Sequence, residues 1–114
     1  CSMKTLAGVA HGFCDSLITR SADVVLKENR RLVIVPRETP LSTIHLQNML
    51  SLSQCGARIV PAMPGFYLQP QSINDLVDMM VMKITDQMGL QITSLKRWGV
   101  VAEPELEVKP VSNS

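Results

Sequence analysis

Apolar positions along this chain follow two rhythms. Leu17, Ile18, Ala22, Val25 and Leu26 recur at helical spacing, as do Ile73, Leu76, Val77, Met80, Ile84 and Met88. Residues 32–35 and 57–60 are instead short apolar runs rich in β-branched side chains and bounded by charge, glycine or proline, which predicts two buried strands. Residues 41–53 form a further amphipathic segment, and residues 4–12 a short helical one. Cap residues place the boundaries. Ser2 precedes the first helix, Asp15 or Ser16 the second, which runs to about Glu28, and Ser72, with Asp75 three residues on, the last. Thr39 is a cap for the segment at 41–53, with Pro40 at the first helical position, where no backbone N–H is needed. Gly56 and Gly89 suit the ends of the helices they follow.

The element order is helix, helix, strand, helix, strand, helix. Strands alternating with helices predict an α/β fold with a parallel, three-layer sheet. Two strands are too few for a sheet covered on both faces. The expectation is therefore that residues 1–98 are the C-terminal part of a larger doubly wound domain. Residues 99–114 lose periodicity and read as a partly ordered tail, with Trp98 anchoring its start. The loop at 61–70, with three prolines and one glycine, is expected to lack regular structure. Phe66 and Tyr67 either serve a ligand there or plug the loop onto the core.

Composition narrows the function classes. Eleven basic against ten acidic residues leave a net charge of +1, which argues against a general nucleic-acid surface. No apolar run approaches the roughly 18 residues of a membrane span. Cys1, Cys14 and Cys55 show neither a CxxC pair nor metal spacing, which suits a reducing, cytoplasmic setting, and Cys14 and Cys55 read as packing residues. No Gly-rich dinucleotide or P-loop motif, HExxH or GxSxG is present. His11 and His45 read as structural or exposed. Arg20, Asp23 and Lys27 share one helical stripe, which by itself reads as a solvated face with a local ion pair. Lys83, at the edge of the last apolar face, by itself reads as a snorkelling lysine.

One stretch carries specific chemistry. Val35-Pro36-Arg37-Glu38-Thr39-Pro40-Leu41-Ser42 puts an arginine and a carboxylate at the carboxyl end of a strand, beside a helix N-terminus. Open α/β sheets bind ligands at that edge, and helix N-termini attract anions. The residues alone imply an anionic ligand.

Four segments in the same order resemble the UbiX-like flavin prenyltransferases, many of which carry the older label aromatic-acid decarboxylase. They are Cys1-Ser2-Met3-Lys4-Thr5-Leu6-Ala7, Ala22-Asp23-Val24-Val25-Leu26-Lys27-Glu28, the stretch at 35–42, and Met63-Pro64-Gly65-Phe66-Tyr67. The resemblance covers about residues 1–98. It implies a flavodoxin-like domain that assembles as a dodecamer with active sites between subunits. It also implies FMN as cofactor, no metal, and transfer of a dimethylallyl group from dimethylallyl phosphate to the flavin. The product, prenylated FMN, would be handed to a UbiD-like decarboxylase, in settings such as ubiquinone biosynthesis. By resemblance, Ser2, Met3, Lys4 and Thr5 contact the flavin, and Arg37 meets both FMN and the prenyl phosphate. Glu38 is the catalytic proton carrier, and Lys27, Tyr67 and Lys83 are phosphate ligands. Gly65 replaces an alanine common in the family, and the family's opening strand and phosphate-cradling turn correspond to nothing within residues 1–114. Two other readings stand beside this one: a non-catalytic flavoprotein subunit, and a flavin-dependent cysteine decarboxylase. The latter's clamp normally contains an Asn that the segment from Pro61 to Tyr67 lacks.

Overall fold

The computed structural model describes residues 1–90; Trp98 and the tail lie outside them. The elements are α1 (Met3–His11), α2 (Leu17–Lys27), β1 (Val33–Ile34), α3 (Thr43–Gln54), β2 (Arg58–Ile59), a 3-10 turn at Phe66–Leu68 and α4 (Ile73–Gln87). β1 and β2 pair in parallel, with Val33 opposite Arg58 and Ile34 opposite Ile59. This is the expected α/β class with a parallel sheet. The ladder continues beyond the formal strands: Arg58, Val60 and Ala62 donate N–H groups to the carbonyls of Leu32, Ile34 and Pro36.

Alternation along the strands fixes what each face meets. Ile34 and Ala57 point into a core with Leu6 of α1 and Leu52 of α3, and Ile59 packs against it. Val33 and Val35 turn the other way and share a recess with Ile84 of α4 and its C-cap Met88. Helices therefore flank both faces of the sheet, with α2 packed on α1. That last contact depends on Gly8. A Cβ there would sit 3.1 Å from the Thr19 methyl, a tight contact, so glycine eases the close approach of the two helices.

Hydroxyl caps start every helix. Ser2, Ser16, Ser42 and Ser72 each accept the backbone N–H three residues on. The expected Thr39 cap is corrected by this pattern. Ser42 accepts from the His45 N–H at 3.2 Å, and His45 Nδ1 accepts from the Ser42 N–H at 3.1 Å. The reciprocal pair satisfies two donors at once, which Thr39 cannot do. Pro40 thus lies ahead of the helix rather than in its first turn, and the Thr39–Pro40 peptide is cis. Ser42→Ala should cost about 1 kcal/mol, the usual loss for a serine cap; a denaturant midpoint unchanged within error would show that the box contributes nothing.

Four other expectations are corrected. On α2 the buried residues are Thr19 and Ala22, while Leu17 and Ile18 are 80% and 67% exposed. On α4 Met79 and Met82 are buried, and Ile73, Val77 and the C-cap Met88 stay exposed. In both helices the apolar stripe is wider than the surface that the described residues offer it. Cys55, expected to pack, is the exposed C-cap of α3. Within the 61–70 loop, residues 66–68 do form one 3-10 turn.

Candidate functional site

The site is built where β1 ends. The backbone nitrogen of Cys1 donates to the Val35 carbonyl, which ties the start of α1 to the end of β1. On the other side Ala62 N–H donates to the Pro36 carbonyl at 3.0 Å. Residues 2–5, residues 36–39 and residues 61–63 thus converge at one edge of the sheet. This is the carboxyl edge at which open α/β sheets place ligands.

A cleft of about 130 Å3 opens there, lined by Arg37, Glu38 and Thr39 with an apolar wall that includes Pro36, Leu41 and Met49. Pro61 and Met63 close its far side. Arg37 is exposed and forms no hydrogen bond or ion pair with another described residue, so its planar fork is available to an anion. Glu38 is held locally. Its Oε1 accepts the Thr39 N–H at 3.2 Å, which orients the carboxylate and leaves the second oxygen open. Ser2 caps α1 through the Thr5 N–H at 3.1 Å, so the remaining free N–H groups of that helix's first turn face the same edge.

The structure brings Ser2, Met3, Lys4 and Thr5 to the same sheet edge as Arg37 and Glu38 but leaves the other expected ligands elsewhere. Lys27 is exposed in the last turn of α2, on a solvated face with Arg20 and Asp23; no ion pair forms among the three. Lys83 lines a separate cavity on the α4 side. Tyr67 is 85% exposed and Phe66 69% exposed, so neither ring plugs the loop onto the core. Gly65 has a specific role beneath them. A Cβ there would meet the Tyr67 ring at 2.9 Å, so glycine lets the ring fold over its own loop. His11 and His45 have structural partners: His11 Nε2 bonds buried Asn48 Oδ1 at 2.9 Å, and His45 completes the α3 cap.

Two residues went unassigned in the sequence. Met63 stands between the cleft and the Lys83 cavity, lining both. Arg58 lines the latter; its charge inside the run at 57–60 was the available signal.

Comparison with known proteins matches residues 1–85 to the Flavoprotein family. The chain belongs to that family. Within the Flavoprotein family it is 58% identical over 98 residues to a protein named probable UbiX-like flavin prenyltransferase from Streptomyces sp. (strain D7), covering 86% of this chain and 49% of that protein. The fold also matches a dodecameric FMN-dependent UbiX-like decarboxylase from Escherichia coli O157:H7, with TM-score 0.82 and 55% identity over 88% of this chain and 54% of that one. AnUbiX (PadA1), solved in complex with FMN and dimethylallyl pyrophosphate, matches with TM-score 0.83 and 53% identity, covering 90% of this chain and 54% of that one. The resemblance to UbiX-like flavin prenyltransferases is borne out. The chain spans about half the length of the curated relatives it matches.

Proposed function

We propose that the protein containing this chain is a flavin prenyltransferase, which transfers a dimethylallyl group from dimethylallyl phosphate to FMN and makes prenylated FMN for a UbiD-like decarboxylase. The observation that carries the reading is the meeting of residues 2–5 with Arg37 and Glu38 at the sheet's carboxyl edge, in a chain 58% identical to a UbiX-like relative.

The residues present fit the cofactor. A flavin ring needs an apolar wall and fixed donors around its polar rim; Pro36, Leu41 and Met49 with the Arg37 guanidinium line the cleft in that way, and the start of α1, tied to the Val35 carbonyl, lies at the same sheet edge. At about 130 Å3 the cleft is below the roughly 300–1,000 Å3 of a complete ligand pocket, so it holds part of the ring only. When bound, FMN supplies the N5 and C6 atoms that accept the dimethylallyl group.

The chain's own residues do the rest. Ser2, Met3, Lys4 and Thr5 hold the flavin edge. Arg37 neutralises negative charge on both ligands, the phosphate above all, as the allylic C–O bond breaks. Glu38 is the proton carrier: its free oxygen gives a proton to the departing phosphate and then, as a base, takes one from the flavin ring. Lys27, Tyr67 and Lys83 complete the phosphate site. Because Lys27, Tyr67 and Lys83 lie away from the Arg37 cleft within one chain, the proposal includes a homo-oligomer, a dodecamer, in which neighbouring copies bring them to it. Among the described residues no helix is long and apolar enough to cross a membrane. The free cysteines suit the reducing cytoplasm, which the proposal takes as its location.

Mass spectrometry of the flavin after incubation of the full protein with FMN and dimethylallyl phosphate tests this. A prenyl adduct is expected; unchanged FMN under conditions where both ligands bind would reject it. In the same assay Lys83→Ala should raise the KM for dimethylallyl phosphate about tenfold, the value of one charge-assisted contact, with flavin affinity nearly intact. An equal loss of flavin affinity would place Lys83 in the flavin site or in the fold instead.

A further inference from the structure

Proton state decides one bond at the edge of the Arg37–Glu38 cleft. The Ser42 N–H donates to His45 Nδ1 at 3.1 Å. A backbone amide can only donate, so Nδ1 offers a lone pair and the ring is neutral, with its proton on Nε2. An imidazolium carries hydrogen on both nitrogens and cannot accept this bond. Capping boxes ordinarily close with Glu or Gln, neither of which changes charge between about pH 5 and pH 8 in its usual range. Histidine in that position makes the box sensitive to protons.

The bond reaches the cleft. It fixes the peptide plane that joins Leu41 to Ser42, and Leu41 lines the cleft. Met49, four residues on from His45 and so on the same face of α3, lines it too. The segment between strand and helix has few other ties. The Pro36 carbonyl is held by the Ala62 N–H, and within residues 37–41 the one hydrogen bond among the described residues is local, from the Thr39 N–H to Glu38 Oε1. The shape of this stretch therefore depends on its two ends, and the second end is Ser42. The Ser42 carbonyl accepts from Leu46 and its Oγ from His45 N–H in either proton state, so protonation of the ring acts on the preceding peptide rather than on the helix.

The surroundings give an imidazolium no compensation. α1 and β2 pack on α3, and their charged and titratable groups are Lys4, His11 and Arg58; the preceding segment adds Arg37 and Glu38. Among the described residues none of the five bonds or ion-pairs with the His45 ring. His45 stands in the first turn of α3, where the helix dipole opposes a positive charge.

We propose that His45 is a positioning residue with a proton-sensitive hold on the cleft: the neutral ring fixes the Leu41–Ser42 peptide and the cleft wall, and the imidazolium releases them. The inference rests on the reading that this cleft meets FMN. Flavin binding is strongest above the range in which imidazoles titrate and weakens as pH falls through it.

FMN binding to the full protein, followed by flavin fluorescence from pH 8 to pH 5, tests this. The FMN phosphate itself gains a proton at about pH 6, so each variant is compared with the wild type at the same pH. The wild type should lose about threefold to tenfold more affinity over that range than His45→Gln, the scale of one hydrogen bond. His45→Gln, which accepts without titrating, should bind at pH 8 as the wild type does, and His45→Ala should bind weakly at both ends. Ser42→Ala removes the hydroxyl half of the pair and leaves the N–H half, so it should lower stability and keep the wild-type pH profile. A His45→Gln profile parallel to that of the wild type would overturn the proposal, as would weak binding by His45→Gln at pH 8. Absence of FMN binding by the wild type at every pH would remove the flavin reading instead. Denaturant midpoints over the same range then decide the hold itself: it stands if the wild type loses more stability toward pH 5 than His45→Gln, and falls if the two run in parallel.

Discussion

Replacing Glu38 by glutamine lowers turnover by about 10²-fold or more while FMN stays bound. The substitution is nearly isosteric, and the amide oxygen can still accept the Thr39 N–H that the carboxylate now holds at 3.2 Å. What it removes is the carboxyl group's capacity to exchange a proton. General acid–base catalysis contributes about 10²–10⁴-fold, and a loss of 10² corresponds to about 2.7 kcal/mol on the barrier. Arg37, next in the chain, keeps its charge, so ligand binding should change little. Prenylated flavin formation, followed by absorbance and mass at saturating substrate, is the measurement. Wild-type turnover would reduce Glu38 to a local carboxylate that orders residues 38–39.

A second large effect is expected at Leu6. It is 0% exposed and joins Ile34, Leu52 and Ala57 in the core that holds α1 against α3 and the sheet. Leu6→Ala keeps a strong helix former, so intrinsic propensity does not account for any loss. The cost comes from removed burial and the cavity left behind, about 2–5 kcal/mol for such substitutions. That is a large share of the ordinary stability of about 5–15 kcal/mol. In the full protein the denaturant midpoint should fall at an unchanged slope. Flavin affinity should fall with it, because residues 2–5 ride on the same helix. A loss under about 1 kcal/mol would mean that α1 is not anchored through this side chain.

Local signals were legible in the sequence wherever one residue decided the outcome. Ser2, Ser16 and Ser72 cap as read, because a hydroxyl before an apolar period has few other uses. The strand runs at 32–35 and 57–60 located the parallel pair, and the resemblance placed residues 2–5 with Arg37 and Glu38. The start of α3 was obscured by two competing signals. Thr39 before Pro40 is a strong pair, and His45 is not the Glu or Gln that a capping box usually carries. Burial on α2 and α4 depended on partners rather than on period. Leu17, Ile18, Ile73 and Val77 keep helical spacing, but the described residues place no surface against them. The separation of Lys83 from Arg37 was hidden for a related reason: it depends on Pro61 and Met63 standing between two cavities, and no spacing rule encodes a wall.

The hydrogen bonds at the end of β1 bear on how freely this site can be varied. Segment 1–5 hangs from the Val35 carbonyl and segment 61–63 from the Pro36 carbonyl, on opposite sides of the strand. Successive residues of an extended chain advance about 3.3 Å along the strand and turn their carbonyls to opposite sides, a spacing set by covalent geometry. The distance between the two segments at this edge is therefore written into main-chain atoms that every amino acid shares. Side chains at positions 3, 4, 37 and 63, which hold no cap or local bond, can be exchanged without moving the frame that presents them, so this corner of the sheet tolerates changes of specificity better than changes of length.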